Sequence, residues 1–518
     1  MSTNYVLNGA LLLAFAATAP SAALAQKKSL SVGMASADSG KLDPHLTATT
    51  PDKGLLHWMF NGLVRFKPGT ASPETIEPDI AESWTSNAAA TEWTFKLRKG
   101  VQCHHDYGEF TSADAVYSIK RAATKATSSF SNDFSAVDKV EAPDAYTVKV
   151  TLKNAVPGFL GYLANYHGGN MVCMKAAEEL KDGYAKKPIG TGPFEFAEYR
   201  PQQFVKLKAN AKYFRGKPVL EEIIYRYIPS DATRDLAFQS GEIDLMYGKQ
   251  DQTWVERVRK LPGTIVGVME PAELSGLYLN TKAKPLDDTR VRQAIAHAID
   301  RKGVVDLKGA LVSRPAVSVV PSGYLGTDEN APQYPYDIAK AKALLAAAGY
   351  PNGVTVKTIH TTLPGMQSTI EAVQAQLKKA GITLDIELVE HATFHAKIRE
   401  DLSPIVHYAA ARFPVADVYL TQFFHSRSQV KTPTAVTNFT HCNLADKDIE
   451  AARVEPDAAK QKALWKSAQE KLVKEVCGIG LFEQLQVWAW RDTLELGYDL
   501  KGALNLSIPI TEKTAFKK

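Results

Sequence analysis

Residues 1–25 of this 518-residue chain contain no charged side chain, and the first lysines come at Lys27 and Lys28. An apolar run from Val6 to Ala19, then Pro20 and the small-residue pattern Ala23-Leu24-Ala25, reads as a secretory signal peptide cut before Gln26. The run is too short to cross a bilayer as a stable helix, and no second apolar stretch is long enough to try. Cysteine is scarce: Cys103, Cys173, Cys442 and Cys477 are all there is, and no pair forms a CxxC. Gln26 rather than a cysteine stands immediately after the cut, so no lipid anchor is expected. In an oxidising compartment the four allow one or two disulfides, with connectivity open. Net charge is also small, +5 from 61 basic and 56 acidic residues, too little and too dispersed to argue for nucleic acid. Nucleotide-loop and hydrolase signatures are missing as well. Gly190-Thr191-Gly192 is followed by Glu195 where a dinucleotide fingerprint needs its third glycine, and no GKS, GKT or GxSxG occurs. Low-complexity linkers and short repeats are absent too.

What remains is a composition with 45% hydrophobic and 23% charged residues, enough for a large core and two to four domains. The most specific stretch is Asp79 to Arg121. Between Thr91 and Leu97, Trp93, Phe95 and Leu97 alternate with Thr94 and Lys96, which is the period of a strand with one buried face. Gly100 ends it, and a polar turn runs through Asp106 and Gly108. Thr111 and Asp114 then form an acidic variant of the capping box, opening a helix whose Ala115, Val116, Ile119 and Ala122 share a face.

A Glu-Ser-Trp, a TFKLRKG strand, a His-Asp turn and an FTSADAVYSIKR helix in this order resemble the family 5 extracellular solute-binding proteins, the peptide- and nickel-type receptors of ABC importers. Later stretches are similar to the same family. They are Ile189-Gly-Thr-Gly-Pro-Phe, the hairpin around Asn210-Ala-Lys-Tyr-Phe-Arg-Gly-Lys-Pro, Gly241-Glu-Ile-Asp, and Pro285-Leu-Asp-Asp-Thr-Arg-Val-Arg-Gln-Ala. The reading of the chain is α/β, with Asp231 capping a helix that ends at Gly241, Glu242–Leu245 as a strand, and Asp287 or Asp288 capping the next helix. Further helices are expected at 337–348 and 367–380, ending at Gly349 and Gly381, and at 457–476. The resemblance implies a two-lobed periplasmic binding protein fold with a hinge, the larger lobe split into two subdomains. Domain I would combine 27–60, 190–270 and 490–518, with Gly241 and Gly267 at turns; domain II would be 61–189 and domain III 271–489.

Function is then expected in the cleft. The resemblance implies a small-molecule ligand delivered to an ABC permease and its ATPase by a monomer, with no cofactor, no nucleic acid and no catalysis. Peptide-binding members grip an α-ammonium with an acid in a W-x-x-D-x-x-D-P loop. The matching stretch here is Tyr408-Ala-Ala-Ala-Arg-Phe-Pro-Val-Ala-Asp-Val-Tyr. Asp417 fits the later acid, but Arg412, Phe413 and Pro414 stand where the earlier one would be. A guanidinium in place of a carboxylate inverts the charge preference, towards an anionic or amine-lacking ligand. Tyr408 and Phe413 would wall it, and no acid near Arg412 is visible along the chain. The rival expectation pairs Arg412 with Asp417 structurally. His360 aligns with the family's carboxylate-gripping arginine, and His45 follows the Leu42-Asp43-Pro44 loop near the cleft. A nickel or metallophore receptor is the alternative, using His45, His360, His391 or His395; a periplasmic hydrolase or chaperone comes third. His391-Ala-Thr-Phe-His395 has zinc-helix spacing, but Ala392 replaces the glutamate a metalloprotease needs. Cys103-His104-His105-Asp106 reads as a structural turn without a metal.

Overall fold

A computed structural model of the protein describes Met1 and residues 26–517, apart from 48–49, 132, 157, 165–167, 432–436, 456 and 505–506. The expected signal peptide thus lies outside the described residues. Among those described, the largest sheet runs Ile405–Ala410, Thr264–Leu279, Gly478–Arg491, Leu245–Tyr247, Ser29–Met34, Glu222–Tyr227, Phe204–Ala209, Phe194–Arg200, with Ser313–Pro315 beside Gly478–Arg491. Ser29–Met34 is parallel to both neighbours, and the remaining pairs are antiparallel. A four-stranded antiparallel sheet carries Ala81–Ser86, Glu92–Leu97, Thr147–Leu152 and Val137–Asp144, and a parallel pair joins Val354–Thr361 to Ile382–Val389.

Two strands tie these parts together. Thr264–Leu279 and Gly478–Arg491 pair along most of their 16 and 14 residues, and the register slips between Met269 and Glu273. Their side chains enter three separate hydrophobic clusters. Leu274 and Trp488 join the largest, Leu277 and Ile479 the one around Val291 and Ile370, and Val487 the one around Phe238 and Trp254. A second, smaller shift follows between Ser275 and Gly276, so bending and twist in this long pair gather over residues 269–276.

Local chemistry explains most element ends. In Glu92–Leu97, Phe95 and Leu97 are buried and Lys96 is exposed. The Thr111–Asp114 capping box is formed and starts Ser112–Ala123. Asp288 and Asp457 cap their helices, and Gly349 and Gly381 take φ of +94° and +89° just past the ends of theirs. Some expectations are corrected. Ser230, not Asp231, caps Asp231–Ser240, because its hydroxyl accepts from the Thr233 N–H while Asp231 pairs with Arg234. The strand after Gly241 is Leu245–Tyr247, and Glu242–Asp244 precede it. Gly267 is inside a strand rather than at a turn; a Cβ there would meet the Trp490 ring at 2.8 Å, so glycine makes room for the indole. Disulfides join Cys103 to Cys173 and Cys442 to Cys477.

Candidate functional site

Arg412 is positioned by the bulge. Ala410 pairs with Leu274, so Arg412, two residues on, comes level with the slipped register that precedes Glu273. Its backbone is clasped by Tyr324, whose hydroxyl accepts from the Arg412 N–H at 3.0 Å and donates to its carbonyl at 2.8 Å. The guanidinium lies over the Phe423 ring, 5.1 Å from its centroid, and Nε donates to Gln422 Oε1. Gln422 in turn donates to Asp133 Oδ1 at 2.9 Å. A chain of three polar side chains therefore links residue 133 to residue 412.

Two more charges complete the cluster. Lys53, on the short helix Thr50–Leu56, is 8% exposed with its ammonium 6.0 Å from the Phe130 ring centroid. Burial and then Arg412 bring its pKa down to about 7, while Glu273, Asp133 and Asp52 oppose them. Glu273 stands at the end of the bulge, accepts from Gln486 at 3.0 Å, and is raised by burial against the pull of Lys53 and Arg412. Burial raises Asp133 to about 6, against Gln422 and Arg412. Two cations and two acids thus act on one another in a half-dry space, where charged hydrogen bonds are strong and unmatched charges costly. Asp133 and Glu273 correct the expectation that no acid lies near Arg412.

The other residues singled out in the sequence are placed differently. Tyr408 is half-buried between Phe439, Phe423 and His395, at centroid distances of 5.5, 6.0 and 5.8 Å, so it shares the Phe423 wall with Arg412. Phe413 faces away, packed between Phe66 and Tyr162. Asp417 is buried and bonded to Arg453 by contacts of 3.3 Å, with the Tyr162 hydroxyl at 3.5 Å. Arg453 is therefore its ion-pair partner, and the expected Arg412–Asp417 pair is replaced. His360 is fully buried and belongs to a directed chain. Its Nδ1 donates to the Thr361 carbonyl, so its Nε2 accepts from His407 Nδ1 at 2.9 Å, and His407 Nε2 accepts from Ser275 at 2.8 Å. Burial holds His360 down to about 4. His45 is fully buried, bonded to the Asn170 carbonyl at 2.9 Å and brought to about 4 by burial, then Arg121. Its loop docks on residues 61–189 through the Asp43–Arg121 pair. His391 and His395 touch through their Nε2 atoms at 3.2 Å. His104 binds the Gly192 carbonyl and His105 that of Phe196. Among the described residues, no group of three His, Cys, Asp or Glu side chains could hold a metal ion.

A mixed sheet is thus crossed by two long strands, and charged groups from distant segments gather at their bulge. Residues 75–431 match the family described as bacterial extracellular solute-binding proteins, family 5 Middle, and the chain belongs to that family, the solute-binding proteins of ABC importers. Its relatives are substrate-binding proteins. It is 48% identical to the periplasmic/solute-binding protein MoaA from A. tumefaciens R10, solved with mannopinic acid, at a TM-score of 0.91 over 95% of this chain and 100% of that one. The peptide-bound DppA of Helicobacter pylori is 28% identical at a TM-score of 0.86, covering 95% of this chain and 99% of that one. Di/tripeptide-binding protein 2 of Pseudomonas aeruginosa is 28% identical over 94% of this chain and 95% of its own length. Among the described residues, no helix is long and apolar enough to cross a membrane.

Proposed function

We propose that this receptor captures a small organic acid in the periplasm, held between Lys53 and Arg412. The observation that carries the reading is this pair of cations from segments more than 350 residues apart, set in one half-dry cluster. The 48% identical neighbour, solved with mannopinic acid, supports an acid of that kind. A bound carboxylate would take charged hydrogen bonds from Arg412, with Tyr408 and Phe423 as apolar walls. Asp133 and Glu273 favour an acid that also offers hydroxyl donors to their carboxyl groups.

Residues 27–60, 190–270 and 490–518 act as domain I, 61–189 as domain II and 271–489 as domain III. The bulge at Met269–Glu273 is the hinge on which domain III closes, and closure presents the loaded monomer to its permease and ATPase. The leader is removed before Gln26. Arg412→Ala should weaken binding of mannopinic acid by about 2–5 kcal/mol, and Arg412→Lys should restore only part of it. Calorimetric titration of the three proteins tests the reading, and equal affinities would remove Arg412 from the site.

A further inference from the structure

Phe413 is seated in a slot that exists because the facing segment carries glycine. A Cβ on Gly161, in helix Phe159–Ala164, would stand 1.9 Å from the ring's Cζ and 2.3 and 2.4 Å from its two Cε atoms. One on Gly158 would lie 3.6 Å from Cε1. Phe66 and Tyr162 flank the ring at centroid distances of 5.9 and 6.4 Å, and Phe413 is 1% exposed. Behind it the loop is held by hydrogen bonds. Tyr324 holds both backbone groups of Arg412, the Leu325 N–H donates to the Pro414 carbonyl at 3.0 Å, and the Ala416 N–H returns to the Leu325 carbonyl at 2.9 Å. The stretch from Arg412 to Pro414 is therefore fastened to residues 324–325 on one side and plugged into residues 66–162 on the other.

We propose that Phe413 is a positioning residue for ligand capture: its ring enters the Gly158–Gly161 notch as the lobes close, and that insertion sets Arg412, its chain neighbour, over the ligand. The inference rests on the hinge closure proposed above. Full burial of a phenylalanine ring favours the closed form by roughly tenfold to a hundredfold over a form that leaves it in water. A notch lined by glycine admits the ring to its full depth; one added methyl denies it. Because the notch touches no ligand, altering it changes affinity through closure.

Spin labels on Lys139→Cys and Lys466→Cys, both exposed, report the distance between the lobes, since all four native cysteines are in disulfides. Pulsed dipolar spectroscopy is run without ligand and with mannopinic acid. The expected result is a short-distance population in wild type that falls at least tenfold relative to the long one in Gly161→Ala, with a matching loss of affinity. In Phe413→Ala the ring is gone, so adding Gly161→Ala to it should change nothing further. Three results would overturn the inference: wild-type distances and affinity in Gly161→Ala, additive losses in the double variant, or a wild type without a short-distance population in either condition. A wild type that closes but does not bind mannopinic acid refutes the ligand reading, and the distances still decide the notch.

Discussion

Lys53 should set the pH dependence of ligand capture. Its ammonium is brought to about 7 by burial and by Arg412, against Glu273, Asp133 and Asp52. A bound carboxylate acts in the opposite sense and raises that pKa, so above about pH 7 binding must take up a proton. Below that point Lys53 is already charged, and its contribution to affinity is level. Above it, each pH unit costs tenfold, about 1.4 kcal/mol, and the loss between pH 7 and pH 9 reaches about a hundredfold. Asp133, raised to about 6, adds a second limb of the same sign, since an acid that protonates as pH falls removes a charge that repels the ligand. A guanidinium stays charged across this pH range. Calorimetry with mannopinic acid from about pH 5 to 9, in buffers of different ionisation enthalpy, measures affinity and proton uptake together. Lys53→Met should flatten the limb above pH 7 and leave the one near pH 6. Equal affinity at pH 7 and 9 without proton uptake, or an unchanged slope in Lys53→Met, would refute the reasoning.

Asp417→Ala leaves Arg453, whose side chain is 16% exposed, without its carboxylate and should cost up to about 3 kcal/mol, read from denaturant unfolding, with ligand preference unchanged. Unchanged stability with altered preference would return Asp417 to the ligand site. Acid should destabilise the fold before most of its carboxylates protonate. His45, His57, His104 and His360 are each brought from 6.5 to about 4 by burial, so the unfolded chain binds more protons between those values. Stability contributed by their neutral forms is intact above about pH 6.5 and is lost as pH falls towards 4, by up to about 3 kcal/mol for each ring. A denaturant midpoint that stays constant from pH 7 to 4.5 contradicts this.

Local features of the fold were legible because their causes are local. The alternation in Glu92–Leu97, the Thr111–Asp114 box and the glycines at 349 and 381 each depend on a few adjacent residues. Gly267 misled because a glycine in a strand and one at a turn look alike until the partner, here Trp490, is known. Arg412 could be singled out because a family motif surrounds it. Lys53, Asp133, Glu273 and Gln422 carried no such signal. They lie in a short helix, a Ser-rich loop, a bulge and a helix, and only tertiary assembly brings their charges together. Phe413 neighbours Arg412 in sequence, yet its ring packs against Phe66 and Tyr162, partners hundreds of residues away that no local pattern reveals.

Selection of an acid by this receptor rests on Lys53 and Arg412. It is tested most directly by titrating the purified protein, without refolding, with mannopinic acid and with free-amine di- and tripeptides side by side at neutral pH. The expected result is saturable calorimetric binding of the acid, at least a hundredfold weaker binding of the peptides, and weakened acid binding in Arg412→Ala. Tighter binding of the peptides than of the acid, undisturbed by Arg412→Ala, would contradict it.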